Sequence, residues 1–283
     1  MQEKLYLNGS FFPSDEAKIS VMDRGFLFGD GVYELIPVYK SKPFLLGQHL
    51  DRLRVSLDLT GINKELINFS KINDAVNELI SVNQYKEHSI YIQITRGVEK
   101  IRQHIFDKCG EPTVLVMGQP YKKYSVSELE QGFKACIQDD YRWTKANIKS
   151  TSLLANVMLK NSATKMNKYE AILIRDNKLT EGSASNVFVL SQDVIKTPKL
   201  SNKLLSGVTR NLLIELLRQN TIEVSECDIS KEEVLSAQEI WCSSSTNPVV
   251  PIVTIDDISI GSGKVGKFTL DAYKIMDDYI NQY

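Results

Sequence analysis

The sequence offers little to a metal ion. Its three histidines, His49, His88 and His104, form no HExxH pattern, which excludes a zincin-type site. Its four cysteines, Cys109, Cys136, Cys227 and Cys242, lack the close paired spacing of zinc ligands, and no metal is expected. The opening MQEKLYLNGSFFPSDE has no basic region followed by an apolar stretch and a small-residue cleavage site, so no secretory signal is expected. Without one, the thiols are expected to be reduced and the protein cytoplasmic. No apolar run approaches the ~18 residues that a membrane span needs. An excess of one charge is also missing, with 34 Lys and Arg against 35 Asp and Glu. The whole molecule therefore carries no field for nucleic acid or an anionic membrane. There are no internal repeats and no low-complexity tracts. Chemistry on a small molecule is the remaining expectation.

What is present is ordinary globular material, 42% hydrophobic and 24% charged over 283 residues. At about 150 residues per domain this length suits two domains. The first third reads as α+β. Val32 to Tyr39 is rich in β-formers, and Lys40 to Pro43 reads as a turn into a second strand at Phe44–Leu46. Two helices should follow, one with Leu50, Leu53 and Leu57 on a single face and one with Ile72, Val76, Leu79 and Ile80. Strands are expected at 89–95 and 113–118. The polar stretch 119–125, with Pro120 and paired lysines, is the candidate linker between domains at 1–118 and 126–283. Beyond it, strands are expected at 132–138, 169–175, 185–190, 222–227, 238–243 and 249–255, and helices at 151–167, 208–219 and 266–280. Strands do not alternate strictly with helices, so the reading is α+β rather than a doubly wound sheet.

The stretch GSGKVGKF, Gly261 to Phe268, fits GxxxxGK but ends in Phe268 where a P-loop needs a hydroxyl for Mg²⁺. Thr269 comes one residue too late, so a tight turn before the last helix is expected instead.

Three separated segments make better chemical sense together than apart. In YRWTKANIKSTSLL (141–154), Lys149 ends an extended stretch, and Ser150, Thr151 and Ser152 are placed to cap the following helix. Such a lysine suits the amine of a Schiff base, although taken alone it is equally a surface residue. In TEGSASNVFV (180–189), Glu181 precedes a buried strand, where a carboxylate suits the protonated ring nitrogen of a pyridine cofactor or, more plainly, a turn beside Gly182. In LSGVTRNLLIELL (205–217), Ser206 and Gly207 lead into a helix whose apolar face is Leu212, Leu213, Leu216 and Leu217. The free N–H groups of its first turn, at Val208 and Thr209, suit a phosphate, or the helix is simply capped. Lysine, acid and phosphate cup together are what pyridoxal phosphate requires.

The stretch from Glu181 to Arg210 resembles the signature of the class IV aminotransferases, the fold-type IV pyridoxal-phosphate enzymes. EGSASNVF, Ile195-Lys196-Thr197 and LSGVTR follow that family's order and spacing. RGFLFGDGVYE (24–34), HLDRL (49–53), QITRG (93–97) and SSST (243–246) resemble further family segments in the same order, so the likeness covers nearly the whole chain. It implies an α+β, two-domain fold-type IV enzyme with a small N-terminal α/β domain and a larger, strand-rich C-terminal domain. The implied cofactor is pyridoxal 5'-phosphate, with Lys149 as Schiff-base lysine and Glu181 on the ring nitrogen. Arg52, the N–H groups of Val208 and Thr209 and the hydroxyl of Ser245 would bind phosphate, while Leu205 and Trp143 line the pocket.

GVYE followed later by Arg102-Gln103-His104 resembles D-amino-acid transaminases, which implies Tyr33, Arg102 and His104 as the trap for the substrate α-carboxylate. The trio is chemically apt, since Arg pairs bidentately with a carboxylate and Tyr and His add hydrogen bonds. IRQHIF can also be read as a plain surface loop. Branched-chain L-amino-acid aminotransferases typically show Phe-Glu-Gly-Ile-Arg where this chain has Tyr33-Glu34-Leu35-Ile36-Pro37. Pro37 departs from the D-transaminase pattern as well, and Ala184 replaces a serine often found near the ring; both bear on substrate preference. The expected reaction is ping-pong transfer of an amino group from a D-amino acid to a 2-keto acid. Aminodeoxychorismate lyase, a branched-chain L-aminotransferase and a non-catalytic binding protein are the alternatives. The resemblance also implies a homodimer, with the Arg102 loop serving the neighbour's site.

Overall fold

The structure is a computed structural model that describes residues 3–83, 87–106 and 110–283; Cys109 lies outside them. Two compact units emerge, Met1–Lys122 with Ile148–Leu153, and Lys123–Asn147 with Leu154–Tyr283. Both mix helices with strand-rich sheets, as the α+β reading expects.

In the first unit the elements run β1 (Lys4–Leu7), β2 (Ser10–Pro13), α1 (Arg24–Phe28), β3 (Gly31–Tyr39), β4 (Lys42–Pro43), α2 (Leu46–Thr60), α3 (Phe69–Val82), β5 (His88–Thr95) and β6 (Thr113–Pro120). Among the described residues the sheet has six strands in the order β2-β1-β6-β5-β3-β4, all antiparallel neighbours. Strand alternation points Val32, Glu34 and Ile36 to one face of β3. Val32 and Ile36 join a core with Leu53 and Leu57 of α2 and Ile72, Val76 and Leu79 of α3, the stripes expected from the sequence. Each of these aliphatic side chains, nearly free of solvent, contributes about 1.5–3 kcal/mol over an exposed position.

The strand expected at Phe44–Leu46 does not form. Leu45 has a left-handed backbone (φ 54°) and stands at the N-cap of α2, so the chain turns into the helix at Leu46, and the short strand is Lys42–Pro43. Pro37 is tolerated because it lies toward the far edge of β3, where its missing N–H interrupts no ladder. The same edge, nearer its start, is covered by residues 148–151: Ser150 bridges Val32 and the Tyr33 N–H donates to the Lys149 carbonyl.

The second unit carries α4 (Val126–Gln131), β7 (Phe133–Asp139), α5 (Leu154–Lys165), β8 (Glu170–Arg175), β9 (Lys178–Gly182), β10 (Asn186–Ser191), β11 (Val194–Pro198), α6 (Val208–Gln219), β12 (Val224–Cys227), α7 (Lys231–Leu235), β13 (Glu239–Ser243), β14 (Val250–Ile255), β15 (Ile258–Ser259) and α8 (Lys267–Gln282). Among the described residues its sheet has nine strands, ordered β12-β11-β10-β13-β14-β7-β8-β9 with β15 on β14. Parallel pairs, β11–β12, β14–β7 and β7–β8, stand among antiparallel ones, so the sheet is mixed rather than doubly wound. Leu159 and Ala163 of α5 pack on Cys136, Ala171 and Leu173 of the sheet.

Helix α5 starts three residues later than expected, at Leu154. The hydroxyls of Thr151 and Ser152 donate to the carbonyl of Gly29, so they tie this segment into the first unit instead of capping α5. Gly29 ends α1 in a left-handed conformation (φ 65°), and a Cβ there would press on Ser152. The GSGKVGKF stretch is a turn, and the N-terminus of α8 is filled by Glu239, whose carboxylate accepts from the Phe268 and Thr269 N–H groups. A phosphate has no room at that helix end.

Candidate active site

In the first unit Lys149 is held by its backbone. Its carbonyl accepts from the Tyr33 N–H at 2.9 Å, and its N–H donates to the hydroxyl of the buried Ser56 at 3.3 Å. The half-buried side chain places Nζ 4.3 Å from the centre of the Tyr33 ring. Tyr33 and Lys149 are thus brought together, as the sequence reading placed them in one site.

Helix α2 presents His49, Arg52 and Ser56 at helical spacing on one face, because residues three, four and seven apart share a face. Arg52 donates from Nε and Nη2 to the two carboxylate oxygens of Glu34, both at 2.7 Å, and His49 Nδ1 lies 2.7 Å from Glu34 Oε2. Burial alone would raise the Glu34 carboxyl, but the Arg52 charge and these hydrogen bonds hold it down to about 2. Burial pushes His49 below its ordinary value despite Glu34. The imidazole is therefore neutral at neutral pH, and its contact with Glu34 is an Nδ1–H hydrogen bond rather than a full ion pair. Arg52, expected on phosphate, is thus fixed in orientation by a buried carboxylate. Glu34 and His49 were missed by sequence reasoning, although both sit inside the quoted segments GVYE and HLDRL.

Arg102 and His104 lie on the exposed loop after β5. The Arg102 guanidinium is 4.7 Å from the Phe28 ring centre, and the His104 ring centre is 5.6 Å from it. Among the described residues no hydrogen bond or ring contact joins either to Tyr33.

In the second unit Glu181 is the focus. It is 5% exposed, and its carboxylate accepts from Arg142 Nη1 at 2.5 Å, from the Leu205 N–H at 3.0 Å and from the Asn186 amide at 3.4 Å. Burial pushes Glu181 above its ordinary value, and Arg142 pulls it part of the way back. Arg142 itself is gripped by Asp140 through Nε and Nη2 at 2.9 and 3.0 Å. Asp140 is held below the ordinary carboxylate value, since its bonds from Arg142 outweigh its burial. Arg142 thus bridges two buried acids, and its charge opposes the rise that burial imposes on Glu181.

Asn186 links Glu181 to the entry of α6, because its amide also donates to the Leu205 carbonyl at 2.9 Å. Gly207 is the N-cap of α6 and makes no side-chain cap. A Cβ at Gly207 would come within 2.1 Å of Asn186 Oδ1, so only glycine allows this approach. The first-turn N–H groups at Val208 and Thr209 have no acceptor within their own helix. Leu205 and Ser245 are half-buried, the latter in the turn where the Ser244 N–H donates to the Asn247 carbonyl. Trp143 is 47% exposed and is not a core residue. Arg142 and Asn186 escaped the sequence reading. Asn186 stands five residues after Glu181 within the quoted motif, whereas nothing local marks Arg142.

The family model described as "Amino-transferase class IV" matches residues 31–255. This chain belongs to the class IV aminotransferases. It is 36% identical over 279 residues to a D-alanine aminotransferase of Bacillus licheniformis, covering 98% of this chain and 97% of the relative. It is 36% identical over 283 residues to a D-alanine aminotransferase of Staphylococcus haemolyticus, covering 98% of each. Its fold matches that of a branched-chain aminotransferase of the thermophilic archaeon Thermoproteus uzoniensis solved with norvaline, with a TM-score of 0.88 at 24% identity over 99% of this chain and 96% of that one. At that identity the likeness establishes the fold.

Proposed function

We propose that this class IV aminotransferase uses pyridoxal 5'-phosphate to move the amino group of a D-amino acid of the D-alanine type to a 2-keto acid, 2-oxoglutarate or pyruvate, in two ping-pong half-reactions. The observation that carries the cofactor is Glu181, a buried carboxylate paired with Arg142 and oriented by the Leu205 N–H. The side-chain-free N-terminus of α6, where any Cβ at Gly207 would displace Asn186, fits a phosphate, and Lys149 is the amine beside Tyr33. D-specificity rests on the D-alanine aminotransferases at 36% identity.

The cofactor, when bound, supplies an electron sink for the charge left on the substrate Cα. Lys149 would hold it, and its Nζ would take the proton from the substrate Cα as general base and return it as general acid. Glu181 keeps a proton on the ring nitrogen. The N–H groups of Val208 and Thr209 and the Ser245 hydroxyl hold the phosphate, and Leu205 walls the ring. Arg52 joins them, its guanidinium plane set by Glu34. Tyr33, Arg102 and His104 hold the substrate α-carboxylate.

A homodimer in which the Arg102 loop serves the neighbouring copy is part of this proposal. What supports it is that Val21, Phe26, Ile101 and Ile105, the last two on the Arg102 loop, are 64–69% exposed on the first unit. Among the described residues no helix is long and apolar enough to cross a membrane. Among the described residues Cys136, Cys227 and Cys242 are free thiols, and a cytoplasmic location is part of this proposal.

The test is to incubate the purified protein with D-alanine or L-leucine, each with 2-oxoglutarate, and to follow D- and L-glutamate separately. D-glutamate from D-alanine is expected. Product from L-leucine alone would overturn the carboxylate trap while keeping Lys149 and Glu181. Pyruvate release from aminodeoxychorismate without any keto acid would make the chain a lyase.

A further inference from the structure

Arg24 opens the one-turn helix α1 just before the Gly29-Asp30-Gly31 turn. Its side chain is 4% exposed, and it is answered from five directions. Nε donates to Asp30 at 2.8 Å. Nη1 donates to Glu99 at 2.8 Å and to the backbone carbonyls of Gln103 at 2.7 Å and Ile105 at 3.3 Å. Nη2 reaches the carbonyl of His104 at 3.4 Å. One buried guanidinium therefore takes three consecutive carbonyls of an otherwise exposed loop.

The loop side chains repeat the pattern. Phe28, four residues on and so on the same face of α1, meets Arg24, Arg102 and His104 with its ring. Phe106 lies over the guanidinium of Arg96, at 3.8 Å, and Arg96 shares Asp30 with Arg24 through a pair of bonds at 2.9 and 3.0 Å. Asp30 in turn precedes the strand that bears Tyr33. Burying an arginine so completely is costly unless its donors find acceptors, and here Nε, Nη1 and Nη2 all do, three times on backbone oxygens that set the path of residues 103–105.

We infer that Arg24 is a positioning residue for substrate recognition: through the carbonyls of Gln103, His104 and Ile105 and the ring of Phe28 it sets the geometry in which Arg102 and His104 meet the α-carboxylate of the amino acid. This rests on the proposed role of Arg102 and His104. Lysine cannot replace Arg24, because one ammonium cannot span the carboxylates and the three carbonyls at once.

The test compares Arg24→Met, Arg24→Lys, Arg102→Ala and the double variant Arg24→Met/Arg102→Ala in the holoenzyme. KM and kcat for D-alanine and 2-oxoglutarate are measured, along with hydrogen exchange over residues 99–106. Arg24→Met should raise KM for both substrates by about tenfold or more with kcat changed far less, as for loss of binding geometry, and should speed exchange in the loop. Arg24→Lys should do the same in smaller measure with the melting temperature kept, which preserves the test if the methionine variant does not fold. In the double variant KM should rise by clearly less than the product of the two single effects, since Arg24 acts largely through Arg102 and only His104 remains for it to position. Normal KM in both Arg24 variants, or rises that simply multiply in the double variant, would overturn the inference alone. Normal KM in Arg102→Ala would overturn the carboxylate trap itself, and the inference with it.

Discussion

The N–H of Tyr33 donates to the carbonyl of Lys149 at 2.9 Å, so the proposed substrate-binding tyrosine and the proposed reactive lysine are backbone neighbours across a strand edge, 116 positions apart in the chain. Nothing in that contact depends on the lysine side chain. Lys149→Ala should therefore leave the fold and melting temperature close to normal while turnover falls on the order of a thousandfold or more, as for loss of a general acid–base group. Paired calorimetry and D-alanine assays check this, and near-normal turnover would remove Lys149 from the mechanism.

Glu34 makes stability depend on acid. Its carboxyl lies at about 2 in the folded chain, held down chiefly by Arg52 against its own burial, and at 4.5 when unperturbed. A depressed folded value stabilises above the unfolded one, so the contribution is complete above about 4.5 and is lost as pH falls toward 2, amounting to roughly 3 kcal/mol. Buried neutral His49 acts in the same direction from about pH 6.5 downward, because only the unfolded chain takes its proton readily. Urea midpoints measured from pH 7 to pH 3 should fall steeply for the wild type and more gently for Glu34→Gln, whose midpoint at pH 7 is already lower.

Arg142 stands between Asp140 and Glu181, and removing it leaves the buried Glu181 without its charged partner, while Asp140 keeps Arg175 at 2.9 Å. Arg142→Met should destabilise the protein by about 3–5 kcal/mol, the usual result of breaking one side of a buried pair. Glu181→Gln keeps the shape and loses the charge. It should cost much less stability but lower kcat by roughly a hundredfold or more, since a neutral amide does not keep the cofactor ring protonated. Thermal melts and single-turnover spectra separate the two variants.

Gly207→Ala places a methyl group against Asn186 Oδ1, at a distance of 2.1 Å before relaxation. Asn186 must then move, and with it the link from Glu181 to the start of α6. The expected outcome is cofactor affinity weakened by about tenfold or more with the secondary structure intact. Titrating the apoenzyme with pyridoxal phosphate measures it, and unchanged affinity would place the phosphate elsewhere.

How far the sequence could be read follows from where each determinant is written. The leucine stripes of α2 and α6 and the stripe of α3 are local in helical spacing and emerged as buried faces. Lys149, Glu181 and the Val208–Thr209 helix start were legible because a cofactor demands an amine, an acid and free N–H groups in short segments of fixed order. Phe44–Leu46 was misread as a strand because its residue types favour β structure, while the left-handed turn at Leu45 is imposed by the packing of α2.

By itself, then, the sequence determined the family and the helical faces and singled out the candidate reactive residues, since these depend on residue type and near spacing. Only the tertiary structure decided that Arg142 would pair with Glu181 from 39 residues away, that Ser56 would hold Lys149 from 93 away, and that Arg24 would carry the Arg102 loop from about 80 away. These are contacts of hydrogen-bond length in which at least one partner is a buried side chain. They exist only once apolar packing has excluded water and left each donor no partner but the acceptor the fold delivers to it.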